Sequence, residues 1–156
     1  MSAVIYREIG VHEIDCIRSL WEDLNTFHRE KTPHFRLHYE RMTFEERKEY
    51  FISLTRTGFL HTDIASIADS GMGVGYCVCS VSMEKNGSIE SIFVHPAYRS
   101  KGIGTALVTR GLQWMDSCGA MQKRVSVAAG NEDAHPFYAK SRFVPRMTVL
   151  EQIPES

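Results

Sequence analysis

The spacing of apolar residues changes along the chain, and the first part predicts a strand followed by a helix. Residues 3–9 contain Val4, Ile5, Tyr6 and Ile9 and are predicted to form a strand. Apolar residues then recur every third or fourth position, which is the period of one face of a helix. They are Val11, Ile14, Ile17, Leu20, Trp21, Leu24 and Phe27.

The next segment changes from a loop pattern to a second helical pattern. Residues 31–39 contain Pro33 and several aromatic and imidazole side chains close together, and they are predicted to form a loop. Thr43 and Glu46 have the spacing of a capping box, which marks the first turn of a helix. We therefore predict that a second helix begins directly after Thr43.

The second half of the chain predicts most of a sheet. Asn86-Gly87 is a typical two-residue hairpin turn and is predicted to join two of its strands. Gly119 is predicted to end the long helix that follows them. In chain order the segments are strands over 58–67, 73–83 and 88–94, a helix over 102–118, a strand over 124–128, a helix over 133–140 and a strand over 143–153.

These segments give the order β-α-α-β-β-β-α-β-α-β, which predicts an α/β or α+β fold around one mixed sheet. The length of 156 residues fits a single domain over 1–156. Hydrophobic residues make up 43% of the chain and charged residues 24%, as in ordinary globular proteins.

Charge and hydropathy argue against two classes of partner. The net charge of −1 gives no overall attraction to nucleic acid or to an anionic membrane. No segment approaches the roughly 18 apolar residues that a membrane span needs, and no signal peptide is evident. We therefore expect a cytoplasmic protein without nucleic-acid or membrane partners.

The four cysteines do not indicate a metal site. Cys77 and Cys79 form a C-x-C pair, and no matching His or Cys pair lies nearby in the sequence. Two such residues on one strand point to the same face. We interpret both as small buried apolar side chains and expect neither bound metal nor a disulfide framework.

Residues 93–108 combine the end of an apolar strand, two basic residues, two glycines and the start of a helix. A helix N-terminus presents unpaired N–H groups and binds anions, and Arg99 and Lys101 add positive charge. The segment lacks the lysine of a P-loop, and Leu107 stands where a dinucleotide fingerprint has a third glycine. Two interpretations of this segment remain: a phosphate-binding turn of another kind, or a purely structural turn.

Two motifs in this context resemble those of the GNAT (Gcn5-related) family of N-acetyltransferases. Arg99-x-x-Gly102-x-Gly104, after a strand and before an apolar helix, is similar to the acetyl-CoA-binding motif of that family. The later segment Asn131-x-x-Ala134-x-x-Phe137-Tyr138-x-Lys140-x-x-Phe143 resembles a second family signature. The resemblance implies a single N-acetyltransferase domain, with a pair of strands that splay apart at the cosubstrate site.

The resemblance also implies which residues bind acetyl-CoA. Main-chain groups of Ile92, Phe93 and Val94 would bind the pantetheine arm, with Asn131 beside it and Phe137 as a wall of the site. The residues expected around the pyrophosphate are Arg99, Ser100, Lys101, Gly102, Ile103, Gly104 and Thr105.

The implied reaction is direct transfer of the acetyl group to a primary amine, without metal. Tyr138 resembles the family's general acid, which would protonate the departing thiolate. Glu90 would accept the amine proton, since it is expected on the same strand face as Ile92 and Val94. His34, His38 or water are alternative bases, and Glu90 could instead be a solvated strand residue.

Some questions stay open at this point. The family usually has glycine at the position of Arg142, so how the preceding helix ends is unresolved. The acceptor could be a small amine, an amino acid, an aminoglycoside or a peptide, and a homodimer is expected. Two other functions compete: a catalytically silent acyl-CoA-binding or sensing module, and a nucleotide-binding module that uses the same turn.

Overall fold

A computed structural model describes residues 2–155, which form a mixed five-stranded sheet with helices on both faces. The strands are β1 (Val4–Ile9), β2 (Gly58–Ile67), β3 (Gly73–Ser82), β4 (Asn86–Val94) and β5 (Gln122–Val125). The helices are α1 (Arg18–Lys31), α2 (Arg36–Arg41), α3 (Phe44–Leu54), α4 (Ile103–Ser117) and α5 (His135–Ala139). Short 3₁₀ turns cover Val11–Ile17, Pro96–Tyr98 and Glu132–Ala134.

The strands follow one another in the sheet in chain order. Neighbours from β1 to β4 are antiparallel, and β5 lies parallel to β4 because α4 crosses over between them. β5 pairs only with Asn86, Gly87, Ser88 and Ile89 of β4. The predicted mixed sheet and its splayed strand pair are therefore confirmed.

Each face of the sheet carries its own hydrophobic core. On one face, α1 and α3 supply Leu20, Trp21 and Phe51 to a cluster with Tyr76 and Phe93 of the sheet. On the other face, α4 and α5 pack over Cys77, Cys79 and Ile89, among others. No helix within residues 2–155 is long and apolar enough to cross a membrane.

The predicted Asn86-Gly87 turn is wrong, because both residues belong to β4. The chain reverses just before them, and Lys85 has a positive φ of 69° there. Gly87 serves packing instead: a Cβ at this position would lie 2.9 Å from Met115 Sδ and 3.1 Å from the Gln122 carbonyl oxygen. A local dipeptide signal was thus outweighed by the close approach of α4 and β5.

The region between the first two predicted helices is more ordered than a loop. Residues Arg36–Arg41 form α2, and α1 ends at Lys31 because the residue before Pro33 disfavours helical geometry. Thr43 is the N-cap of α3, as predicted, and its hydroxyl accepts a hydrogen bond of 3.2 Å from Glu46 N.

The predicted final strand over 143–153 is also wrong, so the last strand of the predicted order does not form. Residues 143–155 carry no strand assignment and pair with no strand of the sheet. Large apolar side chains there are exposed, including Leu150 at 90% and Val149 at 80%. Apolar spacing reveals a tendency to form a strand but not whether a partner edge lies within reach.

Candidate active site

A bulge in β4 determines the position of the predicted base. Ser91 pairs with Val78 of β3 and Ile89 pairs with Cys79, so Glu90 is the extra residue between them. Such a bulge leaves one residue unpaired. It also interrupts the alternation of side chains between the two faces of the sheet, so this residue points to the face opposite to the expected one. Glu90 is thereby directed to the α3 side, whereas Ile92 packs with the core under α4.

The expectation that Glu90 shares a strand face with Ile92 and Val94 is therefore wrong. Its carboxylate accepts one hydrogen bond of 2.6 Å from Ser80 Oγ and another of 2.9 Å from the Tyr50 hydroxyl. Burial and the neighbouring Glu90 carboxylate raise the pKa of Tyr50, so this phenol stays protonated as a donor. The carboxylate is consequently held in a fixed orientation.

The bulge also creates free main-chain groups beside the sheet. Beyond Ile89, the edge of β4 that faces away from β3 pairs with no strand within residues 2–155. This open stretch contains Ile92, Phe93 and Val94, the three residues expected to bind pantetheine. Unpaired main-chain N–H and C=O groups at such an edge can bind an extended ligand as an added strand would.

The turn before α4 concentrates positive charge and unusual backbone geometry. Ser100 and Gly102 have positive φ angles of 63° and 81°, and Gly102 immediately precedes the first residue of α4. Arg99 Nε donates to the Val94 carbonyl oxygen at 3.0 Å, and its guanidinium lies over the Phe93 ring. Lys101 adds a second cation, so the turn and the helix N-terminus together concentrate positive charge of the kind that favours an anion.

Gly104 has a different role from Gly102. A Cβ at Gly104 would lie 3.2 Å from both Cε1 and Cζ of Phe137, whereas a Cβ at Gly102 would have nothing within 4 Å. Gly104 therefore gives space to an α5 side chain, and Gly102 supplies a left-handed backbone conformation. Ile103 is buried behind the turn, and Thr105 is exposed in the first turn of α4.

Tyr138 lies on α5 and is mostly buried, with 9% of its surface exposed. Burial raises the pKa of its hydroxyl, so the phenol is protonated at neutral pH. Arg142 takes the left-handed conformation that glycine usually occupies, with φ of 69°. Phe143 N donates to Tyr138 O, and Arg142 N donates to Ala139 O, which is the Schellman pattern of a helix end.

One cavity of about 350 Å³ brings several of the predicted residues together. Glu90, Ile92, Asn131 and Tyr138 all line it. The other predicted residues do not belong to its wall: Phe93, Val94, Phe137 and the turn from Arg99 to Thr105. They lie along the rest of β4 and at the start of α4, so the sequence-predicted site divides into a cavity and an adjoining turn.

The sequence did not single out His28 or Arg47, which line the cavity together with Tyr39 of the predicted aromatic segment. The His28 ring stacks on Tyr39 with 5.5 Å between ring centroids, and its Nδ1 is enclosed without a hydrogen-bond partner in the described residues. Burial lowers the pKa of His28, which keeps the imidazole neutral at pH 7. Of the two predicted loop histidines, His38 lines the cavity and His34 does not.

One sequence signal could have identified His28. Trp21, Leu24, Asn25 and His28 are spaced as one face of a helix, and all four line the cavity. Two polar residues on an apolar helical stripe are unusual enough to mark a site.

Comparison with known proteins identifies the family. Residues 17–143 match the family model described as the acetyltransferase (GNAT) family. This match covers most of the chain, so the chain belongs to that family.

Individual relatives are distant. In an alignment of 86 residues, this chain is 29% identical to a protein named an uncharacterized N-acetyltransferase of Methanocaldococcus jannaschii. The alignment covers 51% of this chain and 38% of that relative's length. The structure of a GCN5-related N-acetyltransferase from Ralstonia eutropha JMP134 matches with a TM-score of 0.76 at 16% identity, over 97% of this chain and 99% of that one. An aminoglycoside N-acetyltransferase solved with CoA matches with a TM-score of 0.67 at 15% identity, over 97% and 100%. These structural likenesses show the fold.

Proposed function

We propose that this chain is an acetyl-CoA-dependent enzyme that transfers an acetyl group directly to a primary amine. One observation carries the proposal: Tyr138 and Glu90 line the same cavity, next to the open edge of β4. Membership of the acetyltransferase family supports it.

The geometry fits an acyl-CoA molecule in two parts. The open edge of β4 offers main-chain groups to the amides of the pantetheine arm, with Asn131 across the gap. The turn that carries Arg99 and Lys101 offers cations and helix N–H groups to the pyrophosphate. The solved complex of a structural neighbour with CoA supports this assignment.

In the proposed reaction, the nitrogen lone pair of the acceptor attacks the thioester carbonyl carbon, a C–N bond forms and the C–S bond breaks. The CoA thiolate leaves and takes a proton from Tyr138. The nitrogen, which is positively charged after its attack, releases a proton to solvent as the amide forms, and solvent returns a proton to Tyr138. A phenol with an ordinary pKa near 10 is already a weaker acid than a thiol with a pKa near 8.5, and burial raises the pKa of Tyr138 further, so full proton transfer to the thiolate is uphill. The phenol therefore acts by sharing its proton with the thiolate charge that develops in the transition state. Burial keeps Tyr138 protonated until that moment.

The acceptor ammonium must lose a proton before it can attack. We assign Glu90 as the base, because it lines the cavity and two hydroxyl donors hold its carboxylate in place. His28 is a second candidate, since it is a neutral imidazole in the same cavity.

A catalytically silent acyl-CoA-binding module is the alternative function. The enclosed Tyr138 hydroxyl argues against it, because a binding module has no need of a protonated acid at the thioester. We also propose a homodimer, supported by the exposed apolar side chains of the final segment, including Val149 and Leu150.

The test begins with thermal unfolding of the full chain in the presence of acetyl-CoA, CoA or ATP. A ligand at about 100 times its Kd adds about 2.7 kcal/mol to the free energy of unfolding. We expect stabilisation by acetyl-CoA and CoA but not by ATP, followed by thiol release when amines are added. Stabilisation by ATP alone would instead support the nucleotide-binding function, and CoA binding without thiol release would support the silent module.

A further inference from the structure

The cavity that Glu90 lines has an aromatic wall, which lies opposite β4. His28 stacks on Tyr39, and the His38 ring meets the other side of Tyr39 edge-on, with 5.0 Å between centroids. Leu24 and Met42 add aliphatic surface to the same wall. Flat aromatic surfaces of this kind favour a ligand with an apolar or aromatic body.

Within residues 2–155, the cavity is lined by one negatively charged and one positively charged side chain. Glu90 is its one carboxylate among the described residues, and Arg47 is its guanidinium. Arg47 Nη2 donates to the Glu90 carbonyl oxygen at 2.9 Å, and the guanidinium lies over the Tyr50 and Phe51 rings. Glu151, in the exposed final segment, is a further carboxylate whose charge reaches Tyr39, but it lies in solvent. One buried ammonium can thus be paired, and further ammonium groups would be desolvated without partners.

The volume of the cavity also favours a small acceptor. A volume of about 350 Å³ is near the lower limit of ordinary ligand pockets. The acetyl end of the cosubstrate occupies part of this space in the proposed reaction. Because the cavity is partly open to solvent, a larger acceptor would have to extend beyond it, away from the aromatic wall.

We propose that the acceptor is a compact monoamine with an aromatic or otherwise apolar body, and that polycations are poor substrates. This inference rests on the proposed acetyl-transfer function and specifies its acceptor. The ammonium group lies toward Glu90, and the apolar body lies against Tyr39 and His28. Arg47 disfavours a second positive charge in the same space.

The first test compares three amines with the wild-type chain at saturating acetyl-CoA: 2-phenylethylamine, spermine and kanamycin. We expect kcat/KM for 2-phenylethylamine to exceed both others by at least about tenfold, because unpaired ammonium groups are rejected strongly. A higher kcat/KM for spermine or kanamycin overturns the inference.

A variant locates the effect in the aromatic wall. Tyr39→Leu should raise KM for 2-phenylethylamine several-fold while the KM for acetyl-CoA stays unchanged. Tyr6→Leu is the matched control, because Tyr6 is a half-buried tyrosine that packs with the core on the opposite side of the sheet. Equal effects of the two substitutions contradict the role of the wall.

A binding measurement separates this inference from the proposed function. The chain has two tryptophans. Trp21 lines the cavity, whereas Trp114 stacks on His61 on the far side of the sheet. In a Trp114→Phe variant, Trp21 is therefore the one tryptophan whose fluorescence can report binding in the cavity. If 2-phenylethylamine quenches the fluorescence of Trp21 but no amine causes release of the CoA thiol, acetyl transfer is refuted and the ligand class is kept. If acetyl-CoA binds but 2-phenylethylamine neither quenches nor reacts, the acceptor inference fails and the cosubstrate assignment remains.

Discussion

Replacing Tyr138 with phenylalanine isolates the acid step of the proposed reaction. The substitution removes one oxygen atom and keeps the ring that packs edge-on against Phe137 and Phe143. The hydrogen bond that ends the helix, from Phe143 N to Tyr138 O, is a main-chain bond and does not involve the hydroxyl. We therefore expect the free energy of unfolding to change by less than about 0.5 kcal/mol.

The catalytic effect should be much larger than the effect on stability. General acid catalysis contributes typically about 100-fold or more to the rate. A 100-fold loss of kcat corresponds to about 2.7 kcal/mol in activation free energy. The groups assigned to acyl-CoA binding lie on β4, in the turn before α4 and at Asn131, and the Tyr138 hydroxyl is not one of them, so the affinity for acetyl-CoA should remain unchanged.

The assay is steady-state thiol release with 2-phenylethylamine as acceptor, paired with thermal unfolding in acetyl-CoA. Tyr98→Phe serves as control, because Tyr98 belongs to the turn and not to the cavity wall. If Tyr138→Phe keeps its kcat, Tyr138 is not the acid. A loss of kcat with an equal loss of acetyl-CoA affinity would make it a binding residue instead.

Four further predictions concern the base, a buried histidine, a strained residue and the final segment. Glu90→Gln should lower kcat by about 100-fold at pH 7.5 with acetyl-CoA affinity unchanged, and an unaltered rate would transfer the role to His28 or water. Because burial lowers the pKa of His28, the folded chain binds fewer protons there than the unfolded chain, and stability is lost as pH falls through about 6.5. His28→Gln should therefore reduce the difference in Tm between pH 7.5 and pH 5.5; an unchanged difference contradicts this. Arg142→Gly should add up to about 1 kcal/mol by removing left-handed strain, measured by urea unfolding, unless the higher entropy of unfolded glycine cancels it. Leu150→Glu should convert a dimer to a monomer in light scattering, while Met121→Glu, at another exposed apolar side chain, should not; a monomeric wild type refutes the dimer.

The sequence predicted correctly those helix ends that depend only on residues adjacent in the chain. Thr43 caps α3 through its own hydroxyl, and Gly119 follows α4 with φ of 76°. The turn before α4 is likewise local, since its glycine and basic residues lie within six positions. Such features depend on few distant contacts and can therefore be read from the sequence.

Features that depend on distant contacts were predicted less well. The side-chain direction of Glu90 is set by a bulge opposite β3, and period-two alternation contains no information about a bulge. Gly87 looked like a turn residue, although Met115 and Gln122 explain its small size. The contribution of His28 to the aromatic wall was missed, because His28 and Tyr39 belong to separate helices that meet only in the fold.

The packing of Gly104 explains why the two sequence motifs occur together, and it changes how the turn should be tested. A Cβ at Gly104 would lie 3.2 Å from two atoms of the Phe137 ring, and this ring also packs against Tyr138 with 5.1 Å between centroids. A larger residue at position 104 would thus displace the proposed acid as well as the turn, so lost activity there does not by itself assign phosphate binding. Lys101 contacts the ring of Tyr98 but neither of these side chains. Loss of acetyl-CoA affinity in Lys101→Gln, with kcat retained at saturation, is therefore the cleaner evidence for a pyrophosphate site.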